Sequence, residues 1–140
     1  MAYTLLVIDD DRGVLHTVAD LLLAHGYRVL TAGSGHEGIA VARAERPHLV
    51  LMDYSMAGMN GTAVVSALKD DARTARIPVV ALTAATAHVA AELMRAGCIG
   101  YIPKPVEGGE LARLVARFLA QTVGRRAVPG APAPREDPEP

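Results

Sequence analysis

Cysteine is almost absent from this chain of 140 residues. A single thiol, Cys98, excludes an internal disulfide and any multi-cysteine metal site, and it reads as a small buried apolar side chain. Surplus charge is missing too: 14 Lys and Arg oppose 15 Asp and Glu, a formal net of −1, with no long basic block. There is therefore no general attraction to phosphate backbones or anionic lipid, and direct nucleic-acid binding is not expected. No apolar run reaches about 18 residues, and Met1-Ala2-Tyr3-Thr4 lacks the basic start and apolar stretch of a signal peptide. Membrane insertion is not expected, and the chain reads as cytoplasmic. What is present, 51% hydrophobic and 21% charged residues, suits one globular domain with a packed core.

Short apolar runs alternate with segments of helical spacing. Leu5-Leu6-Val7-Ile8 stops at acids, as a strand buried on both faces would if its end opened into a polar site. Val14, Val18, Leu21 and Leu22 recur at helical spacing between about Asp11 and His25, and Gly26 follows as a stop. Arg28-Val29-Leu30-Thr31 predicts a second strand, and a helix from about Gly35 to Arg46 is closed by Pro47. Leu49-Val50-Leu51-Met52 again ends on an acid, Asp53. A helix over 61–71, a strand Val79-Val80-Ala81-Leu82 ending on Thr83, and a short helix near Val89 to Arg95 follow. The strand Gly100-Tyr101-Ile102 with Lys104-Pro105, and a helix from about Glu107 to Thr122, complete the pattern. Repeated strand-then-helix units predict an α/β, doubly wound, five-stranded parallel sheet with five helices. Residues 1–123 form the expected domain, and the proline-rich stretch 124–140 reads as a flexible tail or linker.

In a parallel sheet the carboxyl ends of all strands share one edge, so Asp9, Asp10, Asp53, Thr83 and Lys104 should converge there. Two carboxylates about 4 Å apart repel by about 4 kcal/mol at an effective dielectric of 20. A crowd of acids would hold protons unless a cation joined it. Oxygen-only ligands without histidine or thiolate favour Mg²⁺, with Mn²⁺ as a substitute. Asp11 is read as a cap for the first helix rather than a ligand. The five histidines are scattered as surface or packing residues, and none looks like a phosphohistidine donor.

Four segments in order, Val7-Ile8-Asp9-Asp10-Asp11, Leu51-Met52-Asp53-Tyr54-Ser55-Met56, Ala81-Leu82-Thr83-Ala84 and Gly100-Tyr101-Ile102-Pro103-Lys104-Pro105, resemble the successive signatures of response-regulator receiver domains. The resemblance spans about residues 3 to 122 and implies the flavodoxin-like strand order 2-1-3-4-5, which periodicity alone does not determine. It implies that Asp53 accepts a phosphoryl group from a phosphohistidine on a histidine kinase or histidine phosphotransferase. Mg²⁺ would be held by Asp10, Asp53 and the backbone carbonyl of Ser55, with Asp9 acting through a bound water. Lys104 would pair first with Asp53 and then with a phosphoryl oxygen, aimed inward by a cis Lys104-Pro105 peptide. Thr83 and Tyr101 would form the switch pair, sending the signal through the face of the fourth helix, fifth strand and fifth helix to a downstream protein. Such a chain catalyses only its own phosphoryl transfer and dephosphorylation and is not otherwise an enzyme.

Departures from the family pattern are local. Met56 is followed by Ala57 rather than proline, and Asn60 rather than aspartate precedes Gly61. Gly58 and Asn60-Gly61 are expected to tolerate positive φ in that loop. Val106 stands where an aromatic residue is frequent. Ser55 and Ala85, at the positions that tune hydrolysis, offer no acid or amide to orient water, so a long-lived phosphorylated state is expected. The leading reading is a stand-alone receiver, acting as an adaptor or as a phosphoryl shuttle. Alternatives are a receiver cut from a longer regulator or hybrid kinase, a receiver-shaped scaffold that is never phosphorylated, and a haloacid dehalogenase-like phosphatase with Asp9 as nucleophile. Gly13 spoils the motif of the last.

Overall fold

The computed structural model describes residues 3–56, 58–84, 86–104 and 108–126. Ala57, Ala85, the Lys104-Pro105 peptide, Val106 and the stretch 127–140, each given a role above, lie outside these residues or run into them. Ten elements alternate: β1 (Thr4–Ile8), α1 (Arg12–Ala24), β2 (Arg28–Ala32), α2 (Gly35–Glu45), β3 (Leu49–Asp53), α3 (Gly61–Lys69), β4 (Val79–Thr83), α4 (Ala87–Ala96), β5 (Gly100–Pro103) and α5 (Gly108–Arg126). All pairings are parallel and the strand order is β2-β1-β3-β4-β5. The architecture and order agree with expectation. The last helix runs past Thr122 to Arg126, and α4 begins two residues before Val89.

Alternate residues of the central strands serve two cores. Leu6, Ile8, Val50, Met52, Val79 and Ala81 face one side, where they meet Ile39 and Ala42 of α2, Val64, Val65 and Leu68 of α3, and Leu93 of α4. Leu5, Val7, Leu49, Leu51, Val80 and Leu82 face the other, against Leu15, Val18 and Leu22 of α1 and Leu111, Val115 and Leu119 of α5. Every residue of β1, β3 and β4 is buried, whereas the outer strands β2 and β5 keep exposed positions, including Tyr101. Close approach of helix to sheet depends on Gly38, where a Cβ would run into the Ile8 side chain.

Local chemistry ends the helices where the sequence punctuates them. Asp11 accepts hydrogen bonds from the amides of Gly13 (2.9 Å) and Val14 (3.2 Å), and so caps α1 as expected. Gly26 beyond its other end has φ +90. α2 ends at Arg46, which turns left-handed at φ 48 and ψ 64, and Pro47 after it has no amide to continue the helix. The turn after α3 is pinned by Lys69 Nζ, which donates to the carbonyls of Ala75 (3.1 Å) and Ile77 (2.7 Å), and by Thr74 Oγ1, which donates to Leu68 (2.6 Å). Among the described residues no helix is long and apolar enough to cross a membrane.

Candidate functional site

The polar site lies at the carboxyl edge of the sheet because the middle strands run out there together. Asp9 follows β1, Asp53 ends β3, Thr83 ends β4 and Lys104 follows β5. Backbone bonds hold these ends in step. The Asp9 amide donates to Ala32 (3.1 Å), the Tyr54 amide to Leu82 (3.1 Å), and the Lys104 amide to Thr83 (2.9 Å). The expected residues are thus brought to one place. One ligand atom from each of Asp9, Asp10 and Asp53 lies within 4.8 Å of those of the other two, the one group of this kind among the described residues.

Lys104 supplies the positive charge. Its Nζ donates to Asp53 Oδ1 at 2.7 Å and lies 3.9 Å from Asp9 Oδ2. Asp9, Asp53 and Thr83 are buried, while Asp10 is exposed. Asp9 Oδ1 accepts the Asp11 amide at 2.9 Å, but its Oδ2 is buried with no hydrogen-bond partner. Burial pushes the Asp9 carboxyl above its ordinary pKa. The Asp11 amide opposes the shift, the charges of Asp53 and Asp10 add to it, and Lys104 opposes it. A buried carboxylate oxygen without a donor, ringed by two more carboxylates, is chemistry suited to a hard divalent cation, and the residues present fit Mg²⁺.

This shift has a consequence for stability without divalent metal. As pH rises from the ordinary carboxyl pKa to the raised one, the unfolded chain gives up its Asp9 proton before the folded chain does. Stability falls through that window, and the loss persists above it. Asp9→Asn should therefore stabilise the metal-free protein at neutral pH, with the gain vanishing below about pH 4. Urea titrations at several pH values in chelator test it, and an equal gain at all pH values would contradict it.

Two expected residues stand at the rim. Ser55 lies two positions beyond β3 and is exposed. Tyr101 lies on β5 and is 43% exposed. In the loop before α3, Gly58 has the expected positive φ of 82, but Asn60 does not. With φ −79 it is the N-cap of α3, its Oδ1 accepting from the Ala63 amide at 3.0 Å. Asn60 thus serves the helix start rather than the turn. Cys98 is buried as expected, and burial pushes its thiol up to about 11. His48 is more than a surface group: its Nδ1 accepts the Thr4 amide at 3.0 Å, and its ring meets Tyr3 edge-on at the opposite end of the sheet. Sequence reasoning missed the Asp11 amide as the group that turns Asp9. The capping role of Asp11 was the available signal, because a capped corner brings that amide back over the strand end.

Comparison with known proteins agrees with this geometry. The chain is 35% identical to protein PilH of Pseudomonas aeruginosa over 117 residues, covering 83% of this chain and 97% of that protein. It is 32% identical over 120 residues to the polar-differentiation response regulator DivK of Brucella ovis, covering 85% and 98%. Among solved structures it resembles the chemotaxis protein CheY4 of Vibrio cholerae, with a TM-score of 0.80, 27% identity, and 84% and 98% of the two chains covered. A CheY-like receiver domain protein of Methanospirillum hungatei gives a TM-score of 0.82 at 26% identity, covering 89% and 99%. The response regulator receiver domain family matches residues 5–116. With four of its five strand ends converging on one acidic, lysine-bearing edge, the chain belongs to the response regulator receiver domain family.

Proposed function

We propose that the chain is a phosphoacceptor switch in which Asp53 takes a phosphoryl group from the phosphohistidine of a histidine kinase or histidine phosphotransferase. The observation that carries this reading is the 2.7 Å contact of Lys104 Nζ with Asp53 Oδ1 inside the three-carboxylate cluster. In the proposed step an Asp53 oxygen bonds to phosphorus as the phosphorus–nitrogen bond breaks, and the imidazole keeps the electron pair. Asp10, Asp53 and the Ser55 carbonyl would hold Mg²⁺, or Mn²⁺ in its place, with Asp9 through a water. Bound there, the cation supplies neutralisation of the phosphoryl oxygens.

The chain's own groups do the remaining work. Lys104 holds one carboxylate oxygen before transfer and a phosphoryl oxygen after it. Thr83, at the end of β4, supplies a hydroxyl to the transferred group, and Tyr101 then turns inward from its exposed position on β5. The change reaches a downstream protein through the α4–β5–α5 face, where Met94 and Tyr101 are exposed. In this reading the chain acts on its own aspartate and turns over no second substrate. The proposal sets it in the cytoplasm, which supplies kinase phosphoryl groups and keeps the Cys98 thiol reduced.

Intact-protein mass after incubation with acetyl phosphate tests the reading. The wild type should gain one phosphoryl group with Mg²⁺ and none in chelator, and Asp53→Asn should gain none in either. No gain in the wild type would leave a receiver-shaped scaffold instead.

A further inference from the structure

Asn60 is the only asparagine in the sequence, and a glycine follows it. An asparagine amide is attacked by the backbone nitrogen of the next residue, and glycine, without a Cβ, leaves that approach least hindered. The structure gives each residue of the pair a role. Position 60 needs a cap for α3, which the Asn60 side chain provides through the Ala63 amide. Position 61 admits no side chain, since a Cβ there would lie 2.9 Å from Met52 Cε and 3.0 Å from Tyr54 Cα. Fold requirements thus place a reactive dipeptide on the connection leading from the Asp53 strand to α3, with Asn60 exposed to solvent.

The same geometry restrains the reaction. The attacking group is the Gly61 amide, which donates to the Tyr54 carbonyl at 2.9 Å, and the target carbonyl is engaged as the cap. Both bonds must open before nitrogen reaches Asn60 Cγ.

We propose that Asn60-Gly61 is a self-modification site, deamidating in the folded protein through local opening of the start of α3. Gly61 nitrogen bonds to Asn60 Cγ, the bond from Cγ to Nδ2 breaks, and the amide nitrogen leaves as ammonia with the Gly61 proton. Solvent water then opens the cyclic imide at either carbonyl, and its proton returns to Gly61 nitrogen. Opening at Cγ gives aspartate, which caps a helix as well as asparagine does and adds a favourable charge at the helix start. Opening at the backbone carbonyl gives isoaspartate, whose added backbone carbon displaces both the cap and the closely packed Gly61. One product keeps the loop that carries Ser55, and the other loosens it.

The full chain is held in warm, mildly alkaline buffer, folded or unfolded in urea, and followed by isoelectric focusing, intact mass and peptide mapping. The folded protein should convert at Asn60 more slowly than the unfolded chain by a factor of about 10 to 1000. That factor corresponds to about 1.4 to 4.1 kcal/mol of opening at 1.36 kcal/mol per tenfold. The rate should not change at low urea, and Asn60→Ser, which keeps a capping oxygen, should form no acidic species. Four outcomes would each overturn the proposal: no conversion in the folded protein, equal folded and unfolded rates, a rate rising from the lowest urea concentrations as for global unfolding, or an acidic species that persists in Asn60→Ser.

Discussion

Lys104→Met should slow phosphoryl uptake from acetyl phosphate by about 100- to 1000-fold, the usual loss when one preorganised charge-stabilising donor is removed. Lys104 Nζ lies 2.7 Å from Asp53 Oδ1 and 3.9 Å from Asp9 Oδ2. Methionine keeps most of the apolar stem and removes the charge, so the change tests electrostatics more than packing. Mg²⁺ should bind the variant more tightly, because a competing cation has left the cluster. Slower transfer together with tighter metal binding distinguishes a catalytic loss from unfolding, which would weaken both. Lys104→Arg should recover only part of the rate, since a planar fork does not reproduce a compact ammonium at this distance. Uptake by the methionine variant at the wild-type rate would sink the assignment of Lys104.

For stability the largest expected loss is at the middle of the sheet. Leu51 is fully buried in β3, flanked in register by Val7 of β1 and Val80 of β4, and faces α1 and α5. Leu51→Ala should cost about 2–5 kcal/mol, the sum of lost transfer energy and a cavity that rigid neighbouring strands fill poorly. Against a typical total of about 5–15 kcal/mol this is a large share. Leu30→Ala, on the outer strand β2 and only partly buried, should cost clearly less. Urea midpoints at unchanged slope measure both. Similar losses at the two positions would mean that the outer strand is as constrained as the centre.

Much of the architecture was legible because buried parallel strands leave a plain trace. Leu5 to Ile8 and Leu49 to Met52 are unbroken apolar runs ending on acids, and both are fully buried strands. The edges were less exact, for residues whose polarity hides their burial: Thr4, Asp53 and Thr83 belong to the strands although nothing apolar marks them. Strand order came from the family resemblance, since an apolar pattern says which residues are buried and not which strands are neighbours. At the site, the convergence of Asp9, Asp53, Thr83 and Lys104 followed from parallel topology. The orientation of Asp9 did not, because it depends on one backbone amide of Asp11. Lys69 was likewise unreadable, since its bonds go to carbonyls six and eight residues away across an irregular turn. For Asn60 the role was left open, as the same side chain suits a turn or a cap and only the backbone conformation decides.

Asp53 and Lys104 stand 51 positions apart along the chain. Between them lie α3, β4 and α4, and β5 joins the edge of the sheet by pairing with β4. A chain still emerging from the ribosome, or cut short before Lys104, can display Asp53 but has no ammonium to set beside it. If Asp53 accepts a phosphoryl group as proposed, its readiness to do so would depend on the docking of β5 as well as on the strand that carries it.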